Sequence, residues 1–292
     1  WNVIAASTNT SVVYTPTAAG TYYVWVKDVA NNISAYKEFK VTSKDISSSD
    51  IKITLTPNSF VYDGSAKEPV VKVEDNGKVI TEYTVSYNNN INVGTKAETI
   101  ITGTGNYSGS KKVYFTITNA AITGSVSIAG VCRYGETLTA ITDGINPSGC
   151  ELTYEWYAGS TAETDKIAGA NGKEYVIGSG LVGKTIYVVV TANKANYAEA
   201  KFTASTSGKV AKVTLSKPTI QGTYTYNGSV QTVRLNNFDA NTMNIANNTM
   251  TNAGKQVVII SLKSAADYDW TDGTMKKDDI NLKVRDDKAE VN

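Results

Sequence analysis

The carboxylates of Asp267, Asp269 and Asp272 form a dense group of side chains that could do chemistry, and Trp270 lies among them. Carboxylate oxygens bind Ca²⁺, and two carboxylates can carry out glycoside hydrolysis. The EF-hand pattern of alternate acidic residues, a glycine and a distal glutamate is missing here, and nothing sets the separation that glycoside hydrolysis requires. We therefore interpret the group as a solvated loop and assign no metal ligand and no catalytic residue.

The stretch Gly103-Thr-Gly105 has glycines spaced as in loops that wrap a phosphate group. Such loops bind phosphate together with the amino terminus of the helix that follows. The residues that follow here, 111–117, have the pattern of a strand. We therefore interpret the glycines as turn residues, and we expect Tyr107 to close the loop onto a core.

Cys132 and Cys150 are the two cysteines of the chain. A disulfide between these positions would contribute about 3 kcal/mol in the loop-closure model. A strand of about six residues between them would span about 20 Å, whereas bridged Cα atoms lie within about 7 Å of each other. A disulfide and two free thiols both stay open, and two cysteines without further ligands do not indicate a metal site.

Four aromatic side chains are candidates for contact with a ligand or a partner: Tyr23, Trp25, Tyr187 and Trp270. Strand parity or position in a loop predicts that they face solvent, and exposed aromatics stack on sugars or anchor protein partners. The alternative is that they cap a neighbouring module or cover a sheet face, because single exposed apolar residues are common.

Short strands must position all of these residues. Segments such as Tyr83-x-Val85-x-Tyr87 alternate in polarity with period two, and turn sequences such as Asp75-Asn-Gly77 separate them. The stretch 91–117 predicts a hairpin with strands at 96–102 and 111–117. Helical periodicity is absent from this region, so we predict an all-β fold.

Two features indicate immunoglobulin-like β-sandwiches. The spacing Gly20-x-Tyr22-x-Val24 matches the corner before strand F, where a tyrosine hydroxyl bonds back to the chain. Alternation then predicts that Tyr22, Val24 and Val26 face inward. Trp156 occupies the position of the core tryptophan of strand C, so we predict that it is buried.

The chain also repeats itself. Tyr62-Asp-Gly64 recurs as Tyr226-Asn-Gly228, and the stretch around Val93-Gly94 recurs around Ala253-Gly254. The Tyr107 position recurs at Tyr268. Since these motifs come in the same order, we predict that two parts of the chain share one module type.

The length of 292 residues favours several domains, because single cores stop growing near 250–300 residues. We predict a partial immunoglobulin-like unit at 1–43, of which only the C-terminal strands are present, and complete immunoglobulin-like modules at 44–119, 120–209 and 210–292. The linkers are of about seven residues or fewer and limit bending, so an elongated tandem array is expected. A start at Trp1 indicates a piece of a longer polypeptide.

Charge and composition exclude several classes of function. The chain has 28 basic and 27 acidic residues and no histidine. Balanced charge gives no field that attracts nucleic acid, and histidine is the commonest general base and metal ligand. We predict no enzyme, no cofactor and no nucleic-acid partner. The longest apolar runs are far below the roughly 18 residues of a membrane helix, so no membrane insertion is predicted.

These motifs resemble tandem immunoglobulin-like repeats of large exported surface proteins of Gram-positive bacteria. Tyr62-Asp-Gly64 and Tyr226-Asn-Gly228, with the segments that follow, look like the Tyr-Asp/Asn-Gly repeat type of that class. The stretches 20–34 and 135–192 look like two further bacterial immunoglobulin-like types. Together the matches touch all four predicted units.

The resemblance implies a structural and adhesive function, as a stalk or spacer of an exported or wall-attached protein. The expected location is extracellular, at the cell surface or cell wall, or secreted. Expected partners are neighbouring modules of the same polypeptide and host or cell-surface glycans or proteins. The alternative is a set of carbohydrate-binding modules attached to a secreted glycan-degrading enzyme.

Overall fold

A computed structural model describes residues 13–272 and 277–285, with backbone only for 277–285. Within these ranges the chain consists of strands and turns, and its one helical element is the 3₁₀ turn Glu163–Asp165. The predicted all-β sandwich fold is confirmed. Residues 1–12 of the predicted unit 1–43, and residues 273–276 and 286–292 of the predicted module 210–292, lie outside the described residues.

The chain divides into two compact units. One comprises the residues up to Ala121 together with Ala195–Ala198, and the other comprises Ile122–Lys194 and the residues from Glu199 onward. The full division into four modules stays a prediction.

Strands are numbered in chain order. Strands β1–β12 are Gly20–Val24, Lys37–Val41, Lys44–Asp45, Ile51–Thr56, Ser59–Val61, Val70–Asp75, Lys78–Ile80, Tyr83–Asn88, Gly94–Gly103, Tyr107–Ser108, Ser110–Thr118 and Ala120–Ala121. Strands β13–β19 are Ser127–Ala129, Thr137–Ile141, Glu151–Ala158, Glu174–Val176, Ile186–Asn193, Tyr197–Ala198 and Ala200–Ser205. Strands β20–β29 are Val213–Leu215, Thr219–Ile220, Tyr224–Thr225, Gln231–Thr232, Leu235–Asn236, Met243–Ala246, Thr249–Met250, Gly254–Leu262, Tyr268–Trp270 and Lys277–Arg285.

The first hairpin pairs β1 with β2, and Tyr22 stacks on Phe39 with ring centroids 5.4 Å apart. The Tyr22 hydroxyl donates to the Ala18 carbonyl at 2.6 Å, so the predicted bond back to the chain is confirmed. The predicted inward face is wrong for Val24 and Val26, which are 43% and 69% exposed. The reason is that the hairpin has no facing sheet among the described residues that would cover them.

Sandwich A, residues 44–118, consists of the sheet β4-β6-β7 and the sheet β5-β11-β9-β8. Alternation along β4 turns Ile51, Ile53 and Leu55 toward the core. Strands β9 and β11 form the predicted hairpin, slightly longer than the periodicity indicates. Phe115 of β11 is 2% exposed, and burial of such a side chain stabilises the fold by about 1.5–3 kcal/mol.

Sandwich B, residues 122–210, consists of the sheets β13-β14-β16 and β15-β17-β19. Trp156 of β15 is fully buried, as predicted, and its indole N–H donates to the Gly172 carbonyl at 2.9 Å. Tyr175 stacks on its ring. Val210, which the predicted boundary assigns to the next module, is buried in this core.

Sandwich C, residues 213–285, contains the sheet β22-β29-β27-β25, whose pairing directions match those of β5-β11-β9-β8 in sandwich A. The repeated turns match as well. The Asp63 carboxylate accepts the Ser65 N–H at 2.8 Å, and the Asn227 side-chain oxygen accepts the Ser229 N–H at 3.0 Å. Sandwiches A and C therefore have the same local geometry where their sequences repeat.

Candidate functional site

The segment that enters each sandwich pairs with a loop close to the sandwich's last strand. Strand β3 runs parallel to β10, β12 runs parallel to β18, and β20 runs parallel to β28. Each of these loops carries an Asn or Asp followed by a tyrosine that opens the paired segment. We call them the junction loops: Asn106–Tyr107, Asn196–Tyr197 and Asp267–Tyr268.

Asn106 of the first junction loop binds the chain in front of β1. Its side-chain oxygen accepts the Ala19 N–H at 2.6 Å, and its amide group donates to the Thr17 carbonyl at 3.4 Å. Glu82 holds Asn106 from the other side, because its carboxylate accepts both the backbone N–H and the side-chain amide of Asn106. The loop therefore contacts both its own sandwich and the first hairpin.

Asn196 lies in the loop that belongs to the first compact unit. Its φ of 69° is left-handed, a conformation that asparagine tolerates better than most residues. Its side-chain oxygen accepts the Val93 N–H at 2.9 Å, and its amide group contacts the Asn92 oxygen at 3.1 Å. The Tyr197 ring packs edge-on against Tyr62 with centroids 5.5 Å apart.

Asp267 is the charged member of the set and is 1% exposed. Its carboxylate accepts the hydroxyls of Ser179 and Ser264 at 2.6 Å each and the Gly180 N–H at 3.2 Å. Burial acts to raise the pKa of Asp267, but these hydrogen bonds outweigh it, so the pKa is lowered. The carboxylate is ionised and satisfied, which is the condition under which a buried charge is tolerated.

Beside the first junction loop, Lys44 and Tyr107 both donate to Asp75, at 2.6 and 2.9 Å. The hydrogen bond from Lys44 is the main reason that the pKa of Asp75 is lowered, and the same bond raises the pKa of Lys44. Burial, followed by the bond to Asp75, raises the pKa of Tyr107. The entering segment is thus fixed to sandwich A by an ion pair as well as by backbone bonds.

The sequence interpretation noted Tyr107 and Tyr268 but missed the equivalent pair Asn196–Tyr197. The signal was present as a third Asn/Asp-Tyr dipeptide placed before a final strand. The backbone N–H groups that Asn106, Asn196 and Asp267 accept were not predicted either, because they lie 87 to 103 residues away in the sequence.

The acidic group that suggested calcium or hydrolysis is divided among separate partners. Asp267 is buried as described, Asp269 pairs with Lys212 at 3.2 Å, and Asp272 pairs with Lys217 at 2.6 Å. In the described ranges no three His, Cys, Asp or Glu side chains are grouped so that they could hold a metal ion. The interpretation as one solvated loop is wrong for Asp267.

The prediction that Trp270 faces solvent as a ligand contact is wrong, because the residue is 1% exposed and lies in the core of sandwich C. Trp270 lies in β28 opposite Leu215 of β20, and both side chains belong to this core. Tyr187 lies half-buried in β17, between β15 and β19. Tyr23 and Trp25 are 48% and 37% exposed, and the Tyr23 ring packs edge-on against Tyr36 at 5.1 Å.

The two cysteines are unbridged in the structure. The Cys132 thiol contacts the Gly208 carbonyl at 3.5 Å, and the Cys150 thiol contacts the Pro147 carbonyl at 3.1 Å. Both side chains are partly buried. Of the two alternatives that the sequence left open, the structure has free thiols.

A further shared feature is a parallel pairing between the first part of a sandwich and its last strand. Strand β5 runs parallel to β11, and β22 runs parallel to β29. In sandwich A the Thr116 N–H donates to the Asn58 carbonyl at 3.1 Å and the Tyr62 N–H donates to the Thr118 carbonyl at 2.9 Å. The Thr118 hydroxyl adds a bond to the Phe60 carbonyl at 3.1 Å. We call these pairings the parallel clamps.

Among the described residues, no helix is long and apolar enough to cross a membrane.

Comparison with family models and with curated proteins finds no match for this chain. Solved structures to which it is similar include protocadherin gamma B2 extracellular cadherin domains 3–6, at 9% identity and a TM-score of 0.21, over 92% of this chain and 84% of that one. The protocadherin gamma B4 extracellular domain is similar at 10% identity and a TM-score of 0.24, over 92% of this chain and 56% of that one. The human desmocollin-1 ectodomain is similar at 12% identity and a TM-score of 0.22, over 89% of this chain and 62% of that one. Similarity at this level carries no argument about ligand or function.

Proposed function

We propose that this chain is a non-catalytic structural segment that transmits tension, a stalk or spacer, of an exported or cell-wall-attached bacterial surface protein. The observation that carries the proposal is the parallel clamp, which occurs in both sandwich A and sandwich C. The bacterial setting and the extracellular location rest on the resemblance of the repeated Tyr-Asp/Asn-Gly motifs.

The clamp supports this role for a mechanical reason. A force applied through the two ends of a sandwich loads parallel strands in shear, so that their hydrogen bonds must break together. An antiparallel hairpin pulled at its open end breaks its bonds one after another. A protein that transmits tension benefits from the first geometry, since sandwiches A and C, which have the clamp, then resist extension.

Single-molecule force spectroscopy on the full chain tests the proposal. Thr118→Val removes the hydroxyl bond across the clamp, and Thr102→Val is a matched control that removes a hydroxyl contact to Ser110 within the hairpin β9–β11. We expect stepwise unfolding, with one event at lower force in Thr118→Val and unchanged force in Thr102→Val. A single cooperative event, or the same force loss in both variants, would refute the tension-transmitting role.

The exposed aromatic pair of the first hairpin favours a second candidate function, carbohydrate binding. Tyr23 and Tyr36 are 48% and 65% exposed and lie in contact, and such rings can stack on sugars. A glycan array with the full chain and with Tyr36→Ala separates the candidates. Retention of a glycan that Tyr36→Ala abolishes would support binding, and the absence of retention would leave the structural role.

A further inference from the structure

The three junction loops contact the preceding part of the chain in a common way. Each uses its Asn or Asp side chain. Each contacts residues that precede a strand of the hairpin or sandwich before it, and this strand, β1, β9 or β17, pairs with the last strand of that hairpin or sandwich. These contacted segments are Thr17–Ala19 before β1, Asn92–Val93 before β9 and Ser179–Gly180 before β17. In all three, a backbone N–H donates to the Asn or Asp oxygen. We call these segments donor turns.

Sandwich C has the same kind of turn, Asn252–Ala253, directly before β27. The register shows the equivalence, because Gly94 opens β9 opposite Ile117 and Gly254 opens β27 opposite Val284. Asn252 is exposed and Ala253 half-buried, as are Asn92 and Val93. By position, the Ala253 N–H therefore corresponds to the Val93 N–H that binds Asn196.

A second feature of sandwich C matches independently. At the other side of the last strand of sandwich A, Tyr62 packs edge-on against Tyr197 of a junction loop. Tyr226 holds the corresponding position, since it directly follows β22 as Tyr62 directly follows β5. Tyr226 is 40% exposed, so a large amphipathic ring is presented to solvent where its counterpart receives a tyrosine.

We propose that Asn252, Ala253 and Tyr226 form a docking site for a junction loop of a further immunoglobulin-like module, with the sequence Asn-Tyr or Asp-Tyr. The Asn or Asp oxygen accepts the Ala253 N–H, and the tyrosine ring packs edge-on against Tyr226. The inference rests on the proposed structural role, in which such modules follow one another in series. It adds the chemistry by which the next partner is recognised.

The contact can be tested first in the chain as it is. Asn196→Ala removes the oxygen that accepts the Val93 N–H. Amide hydrogen exchange at Val93 should become faster by up to about tenfold, the factor that one net hydrogen bond contributes. Unchanged exchange at Val93 would overturn the contact pattern and the proposal with it.

The docking site itself is tested by continuing the chain after Arg285 with a second copy of residues 119–212, which keeps the linker register of sandwich A and includes the core residue Val210. Exchange at Ala253 should slow by up to about tenfold, and Asn196→Ala in the added copy should reverse the change. Protected amides in β17 of the added copy show that it is folded. Unchanged exchange at Ala253 beside a folded copy would overturn the docking site, while the force response of Thr118→Val tests the structural role separately.

Discussion

The Asp267→Asn substitution tests whether a buried carboxylate holds the third junction loop in place. The carboxylate is 1% exposed and accepts three hydrogen bonds, from Ser179, Ser264 and the Gly180 N–H. Asparagine keeps one acceptor oxygen. Its amide group replaces the other oxygen, so a donor that binds this oxygen in the unmodified protein then faces another donor. Since a hydrogen bond to a charged group contributes about 1.5–3 kcal/mol, we expect a loss of that size in the free energy of unfolding of sandwich C.

Asp269→Asn is the matched control, the same change two residues away. The Asp269 side chain is 48% exposed and pairs with Lys212 at 3.2 Å. Exposed ion pairs contribute about 0–1 kcal/mol, so the loss should be at most about 1 kcal/mol.

Hydrogen–deuterium exchange of the full chain in increasing urea measures the effect locally. Asp267→Asn should weaken protection both in peptides covering 262–270 and in peptides covering 176–184, because Ser179 and Gly180 lose their charged acceptor. Equal losses in the two variants would refute the assignment of Asp267. So would a loss confined to 262–270, since the carboxylate would then not hold the two segments together.

Two further predictions concern the other sandwiches. The lowered pKa of Asp75 adds stability above its unfolded pKa of about 3.9, and this stability is lost as pH falls through the folded pKa. The raised pKa of Lys44 adds stability below its unfolded pKa of about 10.4, and this stability is lost as pH rises through the folded pKa. Urea midpoints of sandwich A should therefore fall on both sides of this window, and Asp75→Asn should flatten the acid side; an unchanged acid side would contradict the ion pair. Trp156→Ala should lower the free energy of unfolding of sandwich B by about 3–5 kcal/mol, measured by calorimetry, since the indole is fully buried. Trp25→Ala should cause a smaller loss, since the Trp25 side chain, which directly follows β1, is partly exposed. Equal losses would show that Trp156 does not organise the core.

Much of the fold follows from the sequence because strand alternation is a local property. The hairpin of β9 and β11 was predicted within a few residues, and the corner hydroxyl of Tyr22 and the burial of Trp156 were predicted from spacing alone. In each case the side chain is directed by its immediate neighbours along the chain.

The candidate site was predicted less well, because its contacts join distant segments. Exposure of Trp270 was inferred from its position in a loop, but Trp270 lies in strand β28 and is buried in the core of sandwich C. The predicted burial of Val24 and Val26 was wrong in the opposite direction, because both are exposed. Alternation selects the face of a strand, and a second sheet must then cover that face. The acidic stretch looked like one group until the structure gave each carboxylate its own partner.

The sequence by itself determined the strands, the repeated turns and the balance of charge, because period-two alternation, glycine in left-handed turns and residue counts need no tertiary information. The tertiary structure alone decided what Asn106, Asn196 and Asp267 do. In the contact that they share, each accepts a backbone N–H, from Ala19, Val93 or Gly180. Every residue except proline carries such a group, so no residue type in the sequence identifies this partner. The folding of the chain selects which N–H groups meet these three side chains.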